Sequence, residues 1–235
     1  MSTKTKINDF FSKIDESTLV ISAYNIHIFP KKVLTNKSLL IVNFHNSLLP
    51  KHRGRNSPTW TIYEMDKTAG ITWHLITSEI DKGEIIEQKS FRLDDDLNAI
   101  KLSELCLTIG LKSFEKIIIS LLNNDFQTYS AKVDPYEKIH HSMEIPNNGI
   151  YDFDWSLRKG YAFLRSLDYK IYPIFPKPSL YMSNKKFDII DYKFLEKREL
   201  SIDLLNFNEV KSLILVEGDF CLRMALTKNS APYEK

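Results

Sequence analysis

The chain has 235 residues, 43% of them apolar and 26% charged, and a net charge of +2. That composition argues against a disordered chain, and so small a charge makes neither nucleic acid nor an acidic membrane a required partner. The longest apolar runs, such as residues 117–122, fall far short of the ~20 residues of a membrane span.

Residues 8–14 read as a short helical start, and 18–23 (TLVISA) as a strand apolar on both faces. Phe29-Pro30 breaks the chain, and 31–34 fits one helical turn. A second buried strand, 38–44 (SLLIVNF), runs directly into HNSLLP. Pro50, Gly54 and Pro58 mark 50–58 as a loop; Ser57 suits an N-cap with Pro58 at the first helical position, opening a helix over 59–65. Residues 70–76 and 84–91 are strand-like and joined by TSEIDKG, and 97–122 has apolar residues at helical spacing up to Asn123-Asn124. Strands alternating with helices predict an α/β layer with a mixed sheet.

Past about residue 125 aromatics and short alternating stretches dominate, with a helix at 157–167 and a hairpin turning at Asn184-Lys185. A boundary near residue 135 is expected, giving a core over 1–135 and a helix-and-hairpin region over 136–235 for dimerisation and substrate contacts. Cys106 and Cys221 are far apart and in no C-x-x-C pair, which speaks for a reducing compartment. The polar N-terminus MSTKTKINDFFSKIDES lacks the apolar core of a signal peptide. A soluble, cytoplasmic protein is expected.

The chemistry concentrates at Asn43 and His45. They end a buried strand, where open α/β sheets display ligand-binding groups, and being two apart they face one side. A carboxamide and an imidazole, joined by Asp81 from the turn, suit acyl transfer to an amine. Asn43 and a protonated His45 donate hydrogen bonds to the developing oxyanion, and Asp81 raises the imidazole pKa. Proton movement is then expected through Asp81, His45 or water, with no metal. From these residues alone, an ordinary hydrogen-bonded strand-end histidine and a turn aspartate explain the pattern better.

The surrounding residues go further. NFHNSLLPKHRG followed by GITWHLITSEIDKGEII closely resembles the folate-dependent formyltransferases, a family with glycinamide ribonucleotide, methionyl-tRNA and nucleotide-sugar members. Asn43, His45, Ser47, Leu49, Pro50, His74, Asp81, Gly83, Ile85 and Gln88 fall on its pattern. The resemblance covers residues 18–125 well and extends loosely through IPNNGIYDFDWSLRKGYAFLRSL. It implies a Rossmann-like core, truncated here because the family's first βαβ unit is missing ahead of TLVISA. It also implies 10-formyltetrahydrofolate as donor, catalytic roles for Asn43, His45 and Asp81, and a pteridine cleft formed by Ile26, His27, Ile28 and Phe29 with Ile76 and Ser78.

HRGRNSPTW resembles the loop of the sugar enzymes most, and residues 136–235 interleave acids with lysines rather than forming a basic RNA-binding surface. The expected acceptor is a nucleotide-linked amino sugar, such as a dideoxy-amino hexose for surface polysaccharide (lipopolysaccharide O-antigen). Asn56 and Trp60 are expected at the sugar and Arg53 or Arg165 at the diphosphate. Surface charge explains each arginine as well, and core packing explains Trp60. A homodimer through the C-terminal hairpins is expected. A methionyl-tRNA formyltransferase-like enzyme and a non-catalytic nucleotide-sugar or folate binder are the alternatives. His140-His141 is expected on the surface without metal, Cys106 in the core, and His74 as either a supporting group or a structural histidine.

Overall fold

Strands that are apolar on both faces need cover on both sides. The computed structural model, which describes residues 3–131, 138–170, 172–200 and 211–228, gives the strand at 39–45 that cover. The strand at 18–23 instead lies at the sheet edge, with Val20 buried but Ile21 and Ala23 exposed, contrary to the expected burial of both faces. Two compact units are present. The first comprises Met1–Pro58, Lys67–Asp94 and Lys101–Ser142; the second comprises Thr59–Asp66, Asp95–Ile100 and Met143–Lys235. The boundary expected near residue 135 lies outside the described residues.

Along the chain come α1 (Thr3–Ser12), β1 (Thr18–Ala23), α2 (Lys31–Leu34), β2 (Leu39–His45), β3 (Arg53–Gly54), α3 (Ser57–Tyr63), β4 (Thr68–Leu75), β5 (Ile85–Arg92), α4 (Ala99–Leu122) and β6 (Ile139–His140). The first unit's sheet has the order β1-β2-β4-β5. β1 runs parallel to β2 with Ala23 opposite Phe44, whereas β2 and β4 are antiparallel with Asn43 opposite His74. β5 continues antiparallel to β4, so the sheet is mixed as expected.

Ile41 and Phe44, three apart on β2, face opposite sides of the sheet. On the Ile41 side, Val20, Phe29, Val33 and Ile41 form a buried cluster closed by Phe11, Leu34, Leu39 and Ile76. On the Phe44 side, Phe44 meets Trp73 at 5.1 Å and Trp73 meets Phe114 of α4 at 4.9 Å. Trp73 Nε1 donates to the Gly110 carbonyl at 3.2 Å, fixing α4 to the sheet. α4 ends in a Schellman motif. Asn124 takes the left-handed conformation (φ 52), and the amides of Asn124 and Asp125 return to Leu121 and Ser120.

In the second unit α5 (Leu157–Ser166) starts at Ser156, whose side chain accepts from the Lys159 amide. β7 (Ser179–Met182), β8 (Lys185–Glu196), β9 (Lys211–Glu217) and β10 (Phe220–Lys228) follow. They form an antiparallel sheet of order β7-β8-β10-β9 over a core containing Leu180, Leu222 and Met224. The first hairpin turns at Ser183-Asn184, with φ of 48° and 60°, one residue earlier than expected. The left-handed conformation needed there suits asparagine, and Lys185 already belongs to the strand. Among the described residues, no helix is long and apolar enough to cross a membrane.

Candidate active site

β2 ends in Asn43 and His45, and the turn after β4 brings Asp81 to them. His45 Nδ1 lies 3.6 Å from Asp81 Oδ2, and His74 Nε2 lies 3.5 Å from Asp81 Oδ1. Asn43 Nδ2 is 3.1 Å from His74 Nε2. His45 and His74 are buried, whereas Asn43 and Asp81 are partly exposed.

Fixed partners set the tautomers. His45 Nε2 is 3.0 Å from the His52 carbonyl, which only accepts, so the proton sits on Nε2 and the Nδ1 lone pair faces Asp81. His74 Nδ1 is 2.8 Å from the Leu75 carbonyl and donates to it, leaving Nε2 to accept from Asn43. Ser57, expected as a helix cap, heads α3 with its hydroxyl 3.2 Å from His45 Nε2. The Gly54 amide donates to Asp81 Oδ2 at 2.7 Å.

The supporting loop explains the rest of the motif. Gln88 Nε2 donates to the Leu49 carbonyl and to Thr72 Oγ1, both at 2.9 Å. Thr72 Oγ1 in turn donates to the Ser47 carbonyl at 2.7 Å, which ties HNSLLP to β4. β3 pairs with β6, and a Cβ on Gly54 (φ 92) would stand 2.2 Å from the His140 carbonyl. Glycine therefore allows the approach that also aims the Gly54 amide at Asp81. At Gly83 a Cβ would lie 1.6 Å from the Leu75 carbonyl, the same oxygen that holds His74. Gly83→Ala is thus expected to lower unfolding free energy by at least about 1–3 kcal/mol. Urea unfolding measures this, and an unchanged midpoint would contradict the close packing.

Charges follow from burial. Burial lowers the His45 pKa more than Asp81 raises it. The imidazole is therefore neutral at neutral pH, contrary to the protonated form expected from the sequence. Burial alone would raise the Asp81 carboxyl, but in the acid range where it titrates a charged His45, with His74 and the Gly54 amide, holds it at about 2. The pair at rest is a neutral imidazole beside a carboxylate. A base next to a counter-charge accepts a proton and is then stabilised as imidazolium, while Asn43 keeps a second N–H for a carbonyl oxygen.

Of the residues expected in a pteridine cleft, Ile26 and Ile28 are 77% and 66% exposed, Phe29 is buried, and His27 is intermediate. Ile76 packs against the Phe29 cluster, and Ser78 is exposed. Asn56 is half-buried in the left-handed region (φ 58) and Arg53 is buried in β3. In the second unit Trp60 is buried, its ring 6.0 Å from Tyr63. Arg165 is also buried; it donates to the Leu97 carbonyl at 2.6 Å and lies 4.7 Å over the Tyr161 ring. Neither arginine is a surface charge.

His140, expected on the surface, is buried because its strand pairs with β3, and its ring stacks 6.0 Å from His52; His141 is exposed. Cys106 is buried and its thiol is pushed up to about 12 by burial. Among the described residues, no group of three or more His, Cys, Asp or Glu side chains could hold a metal ion.

Asn43 and His45 thus end a strand of a mixed sheet, and the turn after β4 adds Asp81. Residues 4–115 match the family model described as formyl transferase. It is 28% identical over 202 residues to the bifunctional polymyxin resistance protein ArnA of Wigglesworthia glossinidia brevipalpis, covering 85% of this chain and 30% of the relative. It is 26% identical over 167 residues to the GDP-perosamine N-formyltransferase of Brucella melitensis biotype 1, covering 71% and 62% respectively. The chain thus spans less than two thirds of the length of these curated relatives. The N-formyltransferase from Helicobacter canadensis, solved with folinic acid and dTDP-3-aminofucose, shares the fold. Its TM-score is 0.67 at 17% identity, with 96% of this chain and 78% of that one covered.

Proposed function

We propose that this chain transfers a formyl group from 10-formyltetrahydrofolate to the amine of a nucleotide-linked amino sugar. The observation that carries the reading is the contact set among Asn43, His45, His74 and Asp81 within the residues that match the formyl transferase family model. Its likeness to a GDP-perosamine enzyme and to a structure holding folinic acid and a dTDP-amino sugar supports the donor and acceptor classes. The exposed Ile26 and Ile28 suit a flat ring, which gains from apolar contact.

The donor supplies a formyl carbon open to amine attack. Asn43 donates an N–H to the oxygen as it gains charge. His45 accepts the proton released by the amine, and Asp81 stabilises the imidazolium until it returns the proton to the departing nitrogen. Asn56 and Arg53 are the proposed acceptor contacts of the first unit. The same reading includes a homodimer through the C-terminal sheet, a cytoplasmic setting and a role in surface polysaccharide synthesis.

The test is mass-spectrometric formylation with purified chain, 10-formyltetrahydrofolate and dTDP-, UDP- and GDP-linked amino sugars. A formylated sugar dependent on both protein and donor is expected. Formylation of charged initiator tRNA alone would favour the tRNA alternative, and folate binding without any transfer would favour the non-catalytic one.

A further inference from the structure

Burial alternates along the loop between β1 and α2. Ile26 and Ile28 point outward, 77% and 66% exposed, while His27 and Phe29 turn inward. The inward pair meets α1. His27 Nε2 lies 2.9 Å from Asn8 Oδ1, which accepts its proton, and the Phe11 ring stands edge-on to Phe29 at 5.4 Å. His27 is itself edge-on to Phe29 at 5.1 Å, so the inward rings and α1 form one connected contact.

The C-terminal end of α1 and the residues just after it are anchored as well. Asn36 Nδ2 donates to the carbonyls of Phe11 at 3.1 Å and Ile14 at 2.8 Å, and Ser38 Oγ donates to the Asp15 carbonyl at 3.1 Å. No residue of α1 is fully buried. The helix is linked to the core by Phe11, which packs on the cluster of Val20, Phe29, Val33 and Ile41, and its hydrogen bonds go to the loop and to the turn before β2.

We propose that α1 is a prop that presets the 26–29 loop, with Asn8 and Phe11 as positioning residues for the formyl-folate site. This rests on the reading of that loop given under Proposed function. By holding His27 and Phe29 inward, α1 fixes the outward display of Ile26 and Ile28 before any ligand arrives. A loop ordered in advance loses less conformational freedom on binding. The coupling is reciprocal, so a ligand on the outer side stabilises a helix that it does not touch.

The test uses the full chain, its Asn8→Ala and Phe11→Ala variants, and folinic acid as probe. Hydrogen–deuterium exchange is expected to be faster at residues 24–29 in both unliganded variants, and folinic acid is expected to slow exchange in α1 of the wild type. Calorimetry is expected to show a Kd about tenfold weaker for Phe11→Ala, with Phe11→Leu recovering part of the loss. The amino-sugar KM, and kcat at saturating donor, should stay unchanged. Unchanged loop exchange or an unchanged Kd overturns the prop. If the wild type does not bind folinic acid, the donor reading falls, and loop exchange in the unliganded variants alone decides whether α1 is a prop.

Discussion

Asn43→Ala is expected to lower kcat by about 10²–10³-fold, the usual loss on removing one oxyanion donor. The side chain ends β2 and gives one N–H to His74 Nε2, which leaves the second for a substrate oxygen. His74 cannot turn away, because its Nδ1 is bound to the Leu75 carbonyl and its ring is 2% exposed. The amide is thus held with its nitrogen toward the ring. Alanine leaves the His74 acceptor without its Asn43 donor, a cost of about 1–3 kcal/mol, so folding must be checked by thermal unfolding alongside kinetics. Single-turnover rates separate the two effects. A folded variant with wild-type turnover would remove Asn43 from the chemistry. Asn43→Asp is expected to do no better, since a carboxylate has no N–H to give.

Much of this arrangement is legible in the sequence because it is local. The parity of Asn43 and His45 follows from the extended backbone, and the apolar runs at 18–23 and 38–44 mark two strands, although the first is exposed on one face at the sheet edge. Less legible is whatever depends on two distant segments meeting. Ser57 looks like a helix cap, yet its hydroxyl faces His45 because the loop after β2 folds back on its own strand. The Gly54 amide that holds Asp81 has no side-chain signature, and only the pairing of β3 with β6 explains why a glycine stands there. His140 sits beside another histidine in a polar stretch, so nothing local signals its burial. The charge state of His45 is hidden in the sequence for a related reason. A nearby aspartate can be anticipated from the motif, but the depth of burial that outweighs it is set by the whole first unit.

That balance makes Asp81→Asn the most informative substitution. It is expected to reduce kcat by about 10²–10⁴-fold, the span of a general acid–base contribution, and to move the acid limb of the kcat/KM profile to lower pH. In the wild type the carboxylate raises the proton affinity of His45 against the larger effect of burial. Without the charge, burial acts unopposed and the imidazole titrates lower still. The base is then neutral over a wider pH range but weaker, and the imidazolium formed during transfer has no counter-charge. The rate loss should therefore persist on the plateau, where protonation state is no longer limiting. Asparagine keeps an oxygen for the Gly54 amide, so the turn should stay in place. Stability gives an independent check. Asp81 titrates at about 2 in the folded chain against an ordinary 3.8. In that window the unfolded chain binds more protons, so the carboxylate's stabilisation is complete above 3.8 and is lost as pH falls toward 2. The variant should be less stable than wild type at neutral pH, with the difference shrinking through that acid window. A variant whose limb stays in place, or moves to higher pH, would show that Asp81 does not act through His45.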